Sequence, residues 1–276
     1  MKSKKIKTYR EKWMEEYEKR IIDHNVSYES IKKYISEYMP KKLYRYRKFD
    51  EYLENNLAGE IYFSDPSEFN DPFDSAIEID YIAYALNYFT NINRRELENL
   101  LEKEPQLKKI LDNHYNETYR SFKNNIRIAC FTTSQKNTLM WSHYAENHSG
   151  YCIEYDTKNP LFRDMVLPVI YRGERYDCTP CLTTLSRNIS INAIFFKDEV
   201  WNYEHEWRAF GTADYFKEHK NPVQFINAIS AIYIGAISKQ KKFKDVERLQ
   251  KIAKENGIPV YEMKMLKNEY KLTFDK

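Results

Sequence analysis

The sequence predicts an α+β domain on a mixed or antiparallel sheet, with a helical extension before it and a helical insertion within it. Three observations predict it. Short runs such as Leu43–Arg47 and Tyr151–Tyr155 alternate with the period of two expected of strands. Helical spacing instead governs the first forty residues and, again, Asp80–Lys123. Finally, 276 residues with 42% hydrophobic and 16% aromatic content supply a real core, at a length equally ordinary for two domains or for one elaborated domain. The expected organisation is therefore a helical N-terminal extension over residues 1–40 and one α+β domain over 41–276, with an insertion at 80–125.

Taken in order, Arg10–His24 carries Trp13, Met14, Tyr17, Ile21 and Ile22 at helical spacing. Ser27 is a natural cap for a second helix, Tyr28–Met39, which Pro40 terminates. A strand over Leu43–Arg47, a short helix over Asp50–Leu57 and a strand over Glu60–Ser64 follow with very short connections. Asp65-Pro66-Ser67 and Asn70-Asp71-Pro72 are turn chemistry, because proline fixes φ while Asn and Asp side chains bond to nearby backbone. Asp80–Lys123 reads as helical throughout, interrupted at Pro105. From Ile126 the pattern returns to strands: Ile126–Thr132, a helix Thr138–His148 closed by Gly150, then Tyr151–Tyr155 and Val166–Tyr171. Arg175–Asn192 is ambiguous. Glu204–Phe210 reads as a strand, and the chain finishes as strand Ala231–Ile237, helix Lys239–Asn256 capped by Gly257, and strand Pro259–Leu266. The strands beginning at Leu43, Glu60, Ile126, Tyr151, Glu204 and Ala231 are expected to share one sheet system. No internal repeat is visible.

Composition excludes several classes. The longest apolar runs, such as Ile232–Ile237, are far shorter than the roughly 20 residues a membrane span requires, and the basic Met1–Lys7 has no apolar run behind it. Neither a membrane location nor a classical secretory signal is expected. With 44 Lys and Arg against 41 Asp and Glu, the net charge of +3 does not indicate nucleic-acid binding. Four cysteines are too few for a disulfide scaffold, and Cys130 and Cys152 sit in apolar, strand-like runs; a reducing cytoplasm is the expected compartment. The 24 Tyr and 15 Phe beside six Gly suit a cleft lined with rings that stack and hydrogen-bond.

Familiar catalytic signatures are missing: there is no Gly-rich phosphate loop, no Gly-x-Ser-x-Gly elbow and no His-Glu-x-x-His. Cys178-Thr179-Pro180-Cys181 is only half a zinc site. His143 and His148, five apart on one predicted helix, point about 140° apart and cannot easily share a metal. What remains is polar residues at strand ends: Arg45, Tyr46 and Arg47; Ser64, Asn70 and Asp71; Trp141, His143 and Tyr144; Glu204, Glu206 and Arg208. Each has a plain structural reading, as turn, helix core or solvated strand face.

Taken together they carry a resemblance. Leu43-Tyr44-Arg45-Tyr46-Arg47, Tyr62-Phe63-Ser64, Phe69-Asn70-Asp71-Pro72-Phe73-Asp74, Cys130-Phe131, Met140-Trp141-Ser142-His143-Tyr144-Ala145, His148-Ser149-Gly150-Tyr151-Cys152-Ile153, and Lys197 through Trp201, Glu204 and Glu206-Trp207-Arg208 together resemble the bacterial family known as domain of unknown function 2971. The resemblance runs from about Leu43 to Ile237. Its layout looks like the ADP-ribosyltransferase fold, in which a split sheet binds NAD between a basic first strand, a Ser or Tyr on a middle strand and a Glu on a late strand. The matching positions are Arg45 or Tyr46, Ser64 or Tyr62, and Glu206. The first strand lacks the His of one subgroup, and no Ser-Thr-Ser triplet follows.

That likeness implies an NAD-consuming enzyme, an ADP-ribosyltransferase or NAD glycohydrolase, acting as a phage-defence effector or toxin. NAD is then substrate and no metal is expected. Glu206 is the expected catalytic carboxylate, stabilising positive charge on the ribose. Arg45 pairs with pyrophosphate, Tyr46, Tyr62 or Trp141 stacks on nicotinamide, and Asn70-Asp71 holds a ribose hydroxyl. The expected partners are thus a small nucleotide and an unnamed macromolecular acceptor. Two rivals stand beside it: a non-catalytic nucleotide- or protein-binding module using Arg45 and Arg208, and a metal-dependent nuclease using Asp71, Glu204, Glu206 and Lys197. If Glu204, Glu206 and Arg208 share one strand face with Trp207 on the other, Glu206→Gln should abolish NAD cleavage with little change in melting temperature.

Overall fold

Alternation along Lys42–Arg47 sends Leu43 into one apolar core and Tyr44 and Tyr46 into a second, so this strand separates two cores. The computed structural model describes residues 9–23, 25–89, 91–179 and 189–275. Among them the strands are β1 (Lys42–Arg47), β2 (Glu60–Ile61), β3 (Ile77–Glu78), β4 (Ile126–Thr132), β5 (Tyr151–Asp156), β6 (Val166–Pro168), β7 (Ile170–Tyr171), β8 (Tyr176–Asp177), β9 (Phe196–Lys197), β10 (Glu206–Thr212), β11 (Val223–Gln224), β12 (Ile229–Ile234), β13 (Val260–Met265) and β14 (Leu272–Phe274). Eight form the principal sheet, in the order β14-β13-β12-β5-β1-β4-β10-β6. Its pairs are antiparallel except β12 with β13, which run parallel on either side of the helix Phe243–Glu255. The fold is α+β with a mixed sheet.

The larger core spans Leu43, Phe63, Phe131, Ile153, Phe195 and Trp207; the smaller packs Tyr44, Tyr46 and Trp141 against Tyr233 and Met263 on the opposite face. The N-terminal helices α1 (Tyr9–Ile22) and α2 (Tyr28–Ser36) bury Tyr17, Ile21, Ile31 and Ile35 in the larger core. The Tyr17 hydroxyl donates to the carbonyl of Pro168 at 3.0 Å, which ties α1 to the edge strand β6. The insertion, by contrast, has a separate small core of Ala85, Leu97, Leu101 and Leu111. It comprises α4 (Tyr81–Leu86), α5 (Arg94–Lys103) and α6 (Pro105–Asn124), α3 being the short helix Leu53–Leu57. The expected break falls at Pro105. A second break precedes α5, where Asn93 and Glu96 form a reciprocal capping box that the periodicity did not reveal.

Several expected elements are corrected. The Glu60 strand lies outside the principal sheet, pairing instead with β11. Val166–Tyr171 is not one strand: β6 joins β10, while β7 turns away to pair with β9. The helix from Thr138 ends at Tyr144 because Glu146, Asn147 and His148 all take left-handed backbone, with φ of 49°, 52° and 67°. Strand β10 starts at Glu206, since Glu199–Glu204 is 3₁₀ and His205 is left-handed at φ 45°. Cys178 is buried, and Cys181, the second cysteine of the half-site spacing, lies outside the described residues. Among the described residues no helix is long and apolar enough to cross a membrane.

Candidate functional site

The site arises where the sheet comes apart. Strand β1 matches β5 from Lys42 to Arg47 and β4 matches β10 from Ile126 to Thr132, yet β1 and β4 meet only at Tyr44 and Thr132. Beyond that pair, Ser64 takes over the edge of β4, exchanging two backbone hydrogen bonds with Ile128 at 2.8 and 2.9 Å. The gap between Arg45–Arg47 and Ile128–Phe131 opens into a cleft of about 430 Å³. That volume lies within the ordinary range for small-ligand pockets.

At one end of the cleft is a buried charge cluster. Lys197, carried on β9, donates to Glu204 Oε2 at 2.6 Å and Glu206 Oε2 at 3.0 Å, and lies 3.5 Å from Asp74 Oδ2. Arg208, fully buried behind it, grips Asp74 with two bonds of 2.8 and 2.6 Å and Glu206 with two of 2.7 and 3.0 Å. Its remaining capacity goes to the Ile194 carbonyl at 2.6 Å. Three carboxylates thus face two cations. Burial alone would raise the Glu206 pKa, but Arg208 and Lys197 overcome it and hold this carboxyl ionised far below its usual range. Glu204 shifts the other way, raised by burial and then by the Glu206 charge. Lys197 is held charged by Glu206, Asp74 and Glu204 against the burial that opposes it.

Around this cluster stand Tyr144, Asn70 and His143. The Tyr144 hydroxyl donates to Glu204 Oε1 at 2.6 Å and also meets the Asn70 side chain. Exposed His143 lies beside Tyr144 and Tyr203, with ring centres 6.3 and 6.2 Å away. The lining also includes Arg45 and Arg47 from β1, with Arg45 5.8 Å above the Phe131 ring. Thr132 fixes the junction by donating to the Glu204 carbonyl at 2.5 Å.

The cleft therefore brings together Arg45, Tyr46, Ser64, Asn70, His143, Tyr144, Glu204 and Glu206. Four other expected residues stand elsewhere. Trp141 is fully buried, its indole N–H donating to the Gln135 carbonyl at 2.8 Å, so it cannot stack on a ligand. Tyr62 points to solvent, and only its carbonyl takes part, accepting from Arg45 at 3.2 Å. Asp71 spends Oδ1 on the Phe73 N–H at 2.9 Å as the turn-former of its loop. Arg208 supports the cluster from behind. Glu204 reaches the cluster from the end of a 3₁₀ segment instead of sharing a strand face with Glu206. His148 is likewise off the helix, with Nε2 3.2 Å from Ser142 Oγ. Asp71 Oδ1 is committed to its own turn, and Lys197 Nζ stands among the carboxylates of Asp74, Glu204 and Glu206.

Asp74 was missed as a site residue. It closed the Phe69–Asp74 motif, but an acidic residue ending a turn-rich loop carries no sign that it will meet an arginine 134 residues later. Cys130 and Thr132 looked like plain strand residues, and only the split exposes them to the cleft.

No curated protein and no solved structure matches the chain. Residues 140–209, which hold Tyr144, Lys197, Glu204 and Glu206 of the cleft and Arg208 behind it, match the model of a family described as protein of unknown function (DUF2971), and the motifs between Leu43 and Phe131 lie outside the matched stretch.

Proposed function

We propose that the cleft binds NAD and breaks its nicotinamide–ribose bond, as an NAD glycohydrolase or an ADP-ribosyltransferase. The observation that carries this reading is the pairing, inside one cleft, of a carboxylate kept ionised with a second carboxylate of raised proton affinity. When the C1′–N bond breaks, its electron pair leaves with nicotinamide and positive charge develops on the ribose. Glu206 supplies fixed negative potential for that charge. Glu204, steered by Tyr144 and Lys197, accepts the proton of the water or acceptor hydroxyl whose oxygen bonds to C1′. Such chemistry suits a toxin or a phage-defence effector, since depleting NAD stops growth.

Incubating the full chain with NAD and measuring free nicotinamide tests the reading, which requires release that Glu204→Gln abolishes. A second reading, a nucleotide-binding module without turnover, is favoured by the way Arg208 and Lys197 already occupy the oxygens of Glu206. NAD that binds but is returned intact would establish that alternative.

A further inference from the structure

The principal sheet ends in two edges of different kinds. At one end, β6 is bound to helix α1 through the Tyr17 hydroxyl and the Pro168 carbonyl. At the other, β14 pairs on one side with β13, and among the described residues no strand lies on its other side. The register that sets Lys264 opposite Thr273 and Met265 opposite Leu272 continues to Leu266, whose N–H donates to the Lys271 carbonyl at 3.0 Å. Bonded and non-bonded pairs alternate in an antiparallel ladder, so Lys271, Thr273 and Asp275 turn their backbone groups toward β13. Leu272 and Phe274 therefore turn their N–H and C=O groups outward along an open edge. Such an edge is a template for another strand. The side chains along it fit one occupant. Leu272 is buried in the smaller core, and Phe274 packs beside it with ring centres 4.9 Å from Tyr233 and 5.5 Å from Tyr261. Lys271, Thr273 and Asp275 leave the other face of the strand, where Lys271 meets Glu269 and Asp275 meets Lys264 in exposed pairs that contribute little.

We infer that β14 joins two copies of this chain, antiparallel about a two-fold axis at Thr273, so that their eight-stranded sheets become continuous. Lys271-Leu272-Thr273-Phe274-Asp275 is self-complementary in that register. Leu272 of one copy falls opposite Phe274 of the other, and their outward backbone groups form hydrogen-bonded pairs on both sides of the axis. Lys271 falls opposite Asp275 in the close, non-hydrogen-bonded pairs, where unlike charges attract and like charges repel. Other registers lose this match. An axis at Leu272 sets Glu269 against Asp275, one at Lys271 opposes the two lysines, and one at Phe274 sets Asp275 against Thr273. Parallel in-register pairing places like charge beside like. Charge thus selects both the orientation and the register. The edge lies four strands from β1, so the contact goes beyond the NAD reading and is independent of it.

The test is sedimentation velocity of the full chain over a concentration series at low ionic strength. Wild type should pass from monomer to dimer with a Kd on the order of 10–100 μM, the weak range that a short interface occupies. Lys271→Glu should weaken the dimer about tenfold or more, and Asp275→Lys likewise, because each turns two symmetry-related attractions into repulsions. Both side chains are exposed, so each variant should keep the wild-type circular dichroism spectrum and melting temperature. An equimolar mixture of the two variants should regain the wild-type affinity, since every Lys271–Asp275 position in the mixed dimer again carries unlike charges. Lys271→Glu carries the test alone should Asp275→Lys fail to fold. A wild type still monomeric at about 0.5 mM would overturn the pairing and leave the edge to a strand of another protein. A dimer that the variants retain, or one that the mixture of folded variants does not restore, would overturn it equally.

Discussion

The Tyr144 hydroxyl donates to Glu204 Oε1 at 2.6 Å while Lys197 holds the other oxygen at the same distance, so the Glu204 carboxylate is fixed from both sides. Helix α7 (Thr138–Tyr144) and the 3₁₀ segment ending at Glu204 come from different parts of the chain and are joined by this contact, by the bond from Asn137 to the Tyr203 carbonyl and by the His143–Tyr203 ring contact. Glu204 is therefore the better position for testing chemistry, and Glu206 the worse.

Tyr144→Phe removes the bond to Glu204 Oε1 and keeps the ring. If Glu204 accepts the proton, nicotinamide release from NAD should fall by roughly 10² or more, the scale of general-base contributions. The melting temperature should change by only a few degrees, as expected of about 1 kcal/mol. An unchanged rate would remove Tyr144 from the mechanism.

Glu206→Gln, by contrast, does not leave the fold untouched. The side chain is buried with Arg208 and Lys197, and removing one partner of a buried ionic network leaves charge uncompensated at a cost of about 3–5 kcal/mol. Urea denaturation should show a loss of that size for Glu206→Gln and for Asp74→Asn. The double variant should lose less than the sum, because both act on Arg208. Additive losses would mean that the two carboxylates do not share the arginine.

Acid should unfold the protein through this same network. Glu206 is ionised far below the unfolded carboxyl pKa of roughly 4.3, so its contribution is present above that value and lost as pH falls toward the folded pKa. Glu204 has the opposite sign: its contribution is present below about 4.3 and is lost as pH rises through its raised folded pKa. Stability measured between pH 6 and pH 3 should fall less steeply in Glu206→Gln than in wild type, and more steeply in Glu204→Gln. Parallel curves for all three proteins would contradict the assignment.

Deleting residues 1–40 should not yield a folded remainder. Those helices bury Tyr17, Ile21, Ile31 and Ile35 in the main core and tie down edge strand β6, so their loss exposes a large apolar face and frees a sheet edge. Soluble protein with a cooperative thermal transition after truncation would show the extension to be dispensable.

Much of this was legible in the sequence because it is local. Period-two alternation located β1, β4 and β5, helical spacing located α1, α2 and the insertion, and Pro105 marked a boundary because proline cannot continue the preceding helix. Arg45, Asn70, Tyr144, Glu204 and Glu206 were visible as polar residues at the ends of apolar runs. Less visible were features decided by backbone reversal: three left-handed residues end α7 early, and one at His205 moves Glu204 off its strand. Gly150 read as a helix cap, yet the tertiary reason for glycine there is close approach, since a Cβ would run into the Arg47 carbonyl.

The sequence by itself determined which residues alternate, which cap and which carry charge, because those properties depend on neighbours a few positions away. Only the tertiary structure decided that β1 and β4 part after Tyr44 and Thr132, and that Asp74 reaches Lys197 and Arg208 across more than a hundred residues to complete the cluster around Glu206. Long-range pairing is settled by which buried charges can neutralise one another and which strand edges remain open, and neither is written in any short stretch of chain.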